Sequence, residues 1–193
     1  MRSLTLVRHS LPEVRRDIPA AEWHLSIEGA ARARAFAERL VPTNAACVFT
    51  SCEPKAVETA QAIAAQLDVA VECVPGLQEH ERPHAQMLTR VAFEERIRDL
   101  FARPREIVFG AETADQARKR FSIAVVRLLG RTAGDVLLVT HGTVMTLFVA
   151  EATGVDPFMF WKRQEMPFAV RLTLPELRLE RTIALRTDQK HPG

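Results

Sequence analysis

Two histidines and several charged side chains stand at points where the chain pattern turns. Arg8-His9 follows the aliphatic run LTLV, Lys55 closes SCEPK, Glu79 and Glu81 lie in LQEHERPH, and His141-Gly142 follows VLLVT. An imidazole can attack or carry a proton near neutral pH. A guanidinium grips two oxygens of an anion at once, whereas an ammonium binds as a point charge. A carboxylic acid with a raised pKa protonates a leaving oxygen. Those types together suit a pocket for an oxyanion. The cluster Glu79, His80, Glu81 and His84 also contains metal-ligating types. Pro83 breaks the helix that would align His80 with His84, which weakens that alternative.

The elements that must position these groups follow from pattern. Residues 4–7 read as a strand ending at Arg8-His9-Ser10. The segment LSIEGAARARAFAERL reads as a helix with Ser26 as its N-cap. Residues 46–50 (ACVFT) form a strand and residues 54–67 a helix with Pro54 at the favoured first position. A third strand spans residues 69–74, followed by the charged loop. Helices are expected near residues 87–101 and 113–129. Residues 136–140 (VLLVT) are a buried strand and residues 143–152 the helix after it. Residues 169–174 and 177–184 form a hairpin at a sheet edge. The alternation implies an α/β fold, a three-layer sandwich whose mostly parallel central sheet is flanked by helices, with one or two antiparallel members. Ligands gather beyond the carboxyl ends of such strands, where all four chemical segments fall.

Composition narrows the function classes. A chain of 193 residues with 47% hydrophobic residues supports one domain spanning 1–193. Its 26 basic against 24 acidic residues leave a net charge of +2, far from a dedicated nucleic-acid binder. Any anion recognition is therefore local. The apolar stretch of residues 136–150 is shorter than a bilayer span of about 20 residues and carries His141 inside it, so no membrane partner is expected. Three unpaired cysteines, Cys47, Cys52 and Cys73, and the absence of a signal-like leader imply a cytoplasmic protein. For Cys52, beside the second strand-to-helix turn, the readings are a redox-sensitive thiol and a free buried one, of which the second is the commoner case. Trp23, Phe158, Phe160 and Trp161 are read as core or pocket-wall residues, and Arg32, Arg34 and Arg39 as a solvated helix face.

The motifs occur in an order that resembles the histidine phosphatase (phosphoglycerate mutase-like) superfamily. LVRHS is similar to its Arg-His-Gly signature and VTHG to its second-histidine signature. LSIEG, SCEPKAVETA, LQEHER and GAETADQARKRF match its intervening landmarks, so the resemblance covers residues 4 to about 168. It implies a metal-independent phosphatase without cofactor that acts on a small phosphorylated molecule through a phosphohistidine on His9. Arg8 and Lys55 would hold the phosphoryl group and lower the His9 pKa, keeping the nucleophile neutral. His141, with Gly142 beside it, would donate to the transferring group. Glu79 is implied as the acid, with Glu81 the alternative if the loop slips by two residues.

Two departures from the pattern bear on the expectation. Lys55 stands where the family usually has arginine, which predicts weaker phosphate binding, partly offset by the adjacent helix N-terminus. Ser10 stands where glycine is usual; its hydroxyl would touch the leaving group or cap a turn. Ser51 would orient its loop or N-cap the following helix. A phosphomutase of the same family and a non-catalytic phosphoryl-binding protein are the rival functions. The short chain argues against the first, and the retained nucleophile and acid against the second.

Overall fold

Leu4, Leu6 and Val7 are wholly buried in β1 (Ser3–Arg8), a strand at the centre of a six-stranded sheet in the computed structural model of the chain, which describes residues 2–40, 43–82 and 88–185. The element order is β1, α1 (Ile27–Ala37), β2 (Cys47–Thr50), α2 (Pro54–Leu67), β3 (Ala70–Cys73), α3 (Arg90–Ala102), α4 (Ala114–Arg131), β4 (Val136–Thr140), α5 (Gly142–Thr153), α6 (Pro157–Arg163), β5 (Phe168–Thr173) and β6 (Leu179–Ala184). The strands lie in the order β3-β2-β4-β1-β5-β6. β3, β2, β4 and β1 run parallel, while β5 runs antiparallel to both β1 and β6.

Pleating divides the core between the two faces. Leu4, Leu6, Val136 and Leu138 join Phe121, Leu128, Met145 and Phe148 on one face, whereas Val7, Val48, Leu137 and Val139 join Phe36, Ala60 and Ile63 on the other. Successive side chains of a strand point to opposite faces, so apolar strands without alternation require cover on both sides. α1 and α2 supply it on one face, and α4, α5 and α6 on the other. This is the expected three-layer α/β arrangement.

Parallel pairing sets the loops side by side. The ladder continues past the strand ends, with His9 N donating to Thr140 O at 2.9 Å, Ser51 N to Val139 O at 2.9 Å and Val74 N to Thr50 O at 2.8 Å. Thr140 Oγ1 then donates to Leu77 O at 2.8 Å, which ties the acid-bearing loop to the same edge. Most element boundaries fall within one or two residues of the sequence reading. α6 is additional: residues 157–163 were read only as packing aromatics. Phe160 does enter the core, and Phe158 stacks on Trp161 with ring centroids 6.3 Å apart.

Candidate active site

His9 directly follows β1 and is buried, with its Nδ1 2.7 Å from Ser10 O. A carbonyl oxygen only accepts, so Nδ1 carries the proton and Nε2 keeps its lone pair. Burial first, then His141, Lys55 and Arg8, hold the His9 pKa well below the ordinary histidine value, against the opposing pull of the Ser10 carbonyl. The imidazole is neutral. His141 caps the start of α5 at a ring-centroid distance of 5.1 Å from His9. It too is kept neutral by burial, with Lys55 adding to the effect. Its Nε2 lies 2.8 Å from Ser51 Oγ and 3.3 Å from Glu53 Oε1, and its buried Nδ1 has no hydrogen-bond partner among the described residues.

Arg8 lies against Gly142. A Cβ there would sit 3.1 Å from the Arg8 Cζ and Nε, so only glycine leaves the guanidinium its full room. One terminal nitrogen of Arg8 donates to Gln164 O at 2.8 Å, while its buried Nε has no hydrogen-bond partner among the described residues. Burial brings the Arg8 pKa down to about 10, leaving the group cationic at neutral pH. Gln164, itself buried and bonded through Nε2 to Thr146 Oγ1 at 2.6 Å, is a positioning residue outside every motif read from the sequence.

Lys55 lies in the first turn of α2, and its buried Nζ donates to Ala20 O at 2.6 Å and to the Glu53 carboxylate. Glu53 is a second residue the sequence reading passed over. Its Oε1 also accepts the Glu79 backbone N–H at 2.9 Å, so one carboxylate joins Lys55, His141 and the acid loop. An acid two residues before a proposed phosphate-binding lysine was the available signal.

Glu79 is brought to the site, but as a fully solvated-by-protein carboxylate. Its oxygens accept from the backbone N–H groups of His80 (2.8 Å), Thr143 (3.0 Å) and Val144 (3.2 Å) and from Arg82 (3.1 Å). Burial alone pushes its pKa up, yet Arg82, His141 and those N–H donors outweigh it and hold the carboxyl well below the usual range. The raised pKa expected of the acid is therefore not found in this structure, where it is lowered. Glu81 is exposed and is tied through its backbone to the segment before α4, its N–H donating to Glu112 Oε1 and its carbonyl accepting from Ala111 N. Arg120 clamps the same loop through the carbonyls of Gly76, Gln78 and Glu79.

Other expectations divide. The Ser10 hydroxyl donates to Gly29 O at 2.7 Å and its N–H to Thr59 Oγ1 at 3.0 Å, so it fixes the turn and its proton is not directed to a substrate. Ser51 bonds His141, and the α2 N-cap is Glu53. Ser26 does cap α1, accepting from Gly29 N at 2.9 Å. His80 is buried beside Phe109 with Nε2 2.8 Å from Glu112 O, and His84 lies outside the described residues. Cys52 is exposed, as is Cys73, against the expectation of a buried thiol. Among the described residues no helix is long and apolar enough to cross a membrane.

The sequence profile of the histidine phosphatase superfamily (branch 1) matches residues 4–175. No curated protein matches the chain. Among solved structures, a mycobacterial glucosyl-3-phosphoglycerate phosphatase is similar with a TM-score of 0.69 at 17% identity, over 88% of this chain and 89% of that one. A mutant phosphoserine phosphatase from Entamoeba histolytica in complex with phosphoserine gives 0.69 at 16% identity, over 94% and 96%. A mycobacterial hydrolase gives 0.75 at 18% identity, over 93% and 97%. The profile match takes in all four chemical segments on the strand ends, and this protein belongs to branch 1 of the histidine phosphatase superfamily.

Proposed function

We propose that the protein is a metal-independent phosphatase that hydrolyses a small phosphomonoester through a covalent phosphohistidine on His9. The observation that carries this reading is the fixed tautomer of His9: Nδ1–H is bound to the Ser10 carbonyl, leaving Nε2 with a free lone pair beside Arg8, Lys55 and His141.

In the first step the Nε2 lone pair forms a bond to phosphorus and the P–O bond to the leaving group breaks, its electron pair staying on the leaving oxygen. That oxygen takes a proton from Glu79. The imidazole becomes cationic, and the Nδ1–H bond to the Ser10 carbonyl stabilises that charge. Arg8 and Lys55 bind the phosphoryl oxygens, and the unpartnered Nδ1 of His141 donates to them in the tautomer where Ser51 Oγ–H donates to Nε2. In the second step Glu79 takes a proton from water, the water oxygen bonds to phosphorus, and the N–P electron pair returns to Nε2.

Glu79 must hold a proton for the first step. A phosphoryl dianion adds negative charge beside it and competes for Arg82, and both effects raise its pKa. The proton donor is thus made by substrate binding. Hydrolysis of an aryl phosphate with chelator present tests the reading. Wild type turns over, and His9→Ala loses activity by at least about 10³-fold because the covalent route is gone. Comparable activity in the variant would remove His9 as nucleophile.

A further inference from the structure

Position 55 holds a lysine whose Nζ is already bound by Glu53 and the Ala20 carbonyl. The charges that act on His141 nevertheless include a second guanidinium, at the end of the LQEHER segment. Arg82 follows the acid by three residues. Its side chain is only 14% exposed and lies over two aromatic rings, 5.2 Å from the centroid of Phe93 and 5.8 Å from that of Phe109. The cation–π contacts and the low exposure hold the group in place. It donates at 3.0 Å to Thr143 Oγ1, in the first turn of α5 directly after His141-Gly142, and at 3.1 Å to Glu79 Oε2. Its charge lowers the pKa values of both Arg8 and His141, so it shares their electrostatic field.

A guanidinium has five N–H donors in a planar fork. Among the described residues Thr143 and Glu79 engage two, leaving three for an anion. With Arg8, Lys55 and Arg82 positive and Glu53 and Glu79 negative, these five side chains carry a formal net charge of +1 (three minus two). A phosphoryl dianion would find too little positive charge unless one carboxylate takes a proton or gives up its cation. Arg82 offers both routes, because the group that holds Glu79 ionised is also a suitable ligand for phosphate.

We infer that Arg82 is a phosphoryl-binding residue, which supplies the planar guanidinium lacking at position 55 and shifts from Glu79 to the phosphoryl oxygens when substrate enters. The inference rests on the phosphatase reading above. It makes Arg82 a link between the two requirements of the reaction, since leaving Glu79 for phosphate lets Glu79 take the proton that the leaving oxygen needs.

The test compares wild type, Arg82→Gln, Arg82→Lys and Arg82→Gln/Lys55→Arg by inorganic phosphate calorimetry and aryl phosphate kinetics. Thermal melts establish that each variant is folded. Losing a charged hydrogen-bond donor weakens phosphate binding about 10- to 100-fold in Arg82→Gln. Arg82→Lys recovers only part of the loss. Lys55→Arg improves binding more in the Arg82→Gln background than in wild type, since an arginine is then lacking at both positions. Low guanidinium concentrations restore turnover to Arg82→Gln saturably, whereas sodium at equal ionic strength does not.

Wild-type turnover with unchanged phosphate affinity in a folded Arg82→Gln would overturn the role of Arg82 and leave the phosphatase reading standing. An equal loss in Arg82→Gln and the double variant, without guanidinium rescue, would reduce Arg82 to a structural support for Glu79. A wild type that neither binds phosphate nor turns over would remove both readings.

Discussion

At His9 one hydrogen bond decides which nitrogen reacts. The Ser10 carbonyl fixes the proton on Nδ1, and burial among cations keeps Nε2 unprotonated well below the ordinary histidine pKa. Glu79 has the opposite problem, because the contacts that hold it in position also hold it ionised. If its proton goes to the leaving oxygen, Glu79→Gln should reduce kcat by about 10²–10⁴-fold on an alkyl phosphate. The loss should be much smaller on a nitrophenyl phosphate, whose leaving group needs little protonation. Steady-state kinetics on the two esters checks this, and equal losses on both would show that Glu79 only supports the loop. Arg8, His9, Lys55 and His141 were legible in the sequence because each adjoins a strand end or helix start, and Glu79 because LQEHER resembles the family's acid-bearing loop. Glu53, Arg82 and Gln164 were not, because their place depends on contacts across elements: Glu53 with Lys55 and the Glu79 N–H, Arg82 with Thr143, and Gln164 with Arg8.

At the scale of elements, the site is a consequence of parallel strand ends and of two tight approaches of backbone. β1, β2 and β4 end in register, and their ladders run on into the loops through His9 N and Ser51 N. The chain after His9 then folds over α1, where a Cβ at Gly29 would stand 1.9 Å from Leu11 O. That neighbour is backbone and cannot swing aside. Gly29→Ala should therefore cost about 1–3 kcal/mol, as overpacking does, and should raise KM by displacing the His9–Ser10 turn that Gly29 O anchors. Urea unfolding and aryl phosphate kinetics read the two effects; a variant as stable as wild type would show that the turn relaxes freely. Period and punctuation made α1, α2 and β4 readable, with Ser26 and Pro54 marking helix starts. α6 escaped because seven residues hold fewer than two full helical repeats, and four of them are aromatic or methionine, which read equally well as packing.

Across the whole molecule, two buried neutral histidines make folding sensitive to acid. The folded pKa values of His9 and His141 lie well below the unfolded value of about 6.5. Above that pH neither state binds a proton at these sites. As pH falls through it, the unfolded chain takes up protons that the folded chain refuses, so stability falls. The two sites together give a slope of about 2.7 kcal/mol per pH unit below their unfolded value. His80, lowered chiefly by burial, adds to the same trend. Glu79 acts in the same direction at lower pH, because its depressed pKa gives stability that is present above the ordinary carboxylate range and lost as the pH falls through and below it. Urea melts between about pH 7.5 and 5.5 should show this loss, and His9→Asn should make it shallower by about one proton. Constant stability over that interval would mean that the histidines take up protons in the fold as they do in the unfolded chain.

The net charge of +2 for the whole chain conceals a local concentration of cations where β1, β2 and β4 converge on the start of α5. The most direct test of the chemistry is to mix enzyme with a radiolabelled phosphomonoester, quench in denaturant and measure protein-bound phosphate. Label that is stable in alkali, labile in acid, located on His9 and absent from His9→Ala is the predicted result. Turnover by wild type without label, under conditions where the second step is slowed enough to accumulate an intermediate, would contradict it by showing that water attacks phosphorus directly.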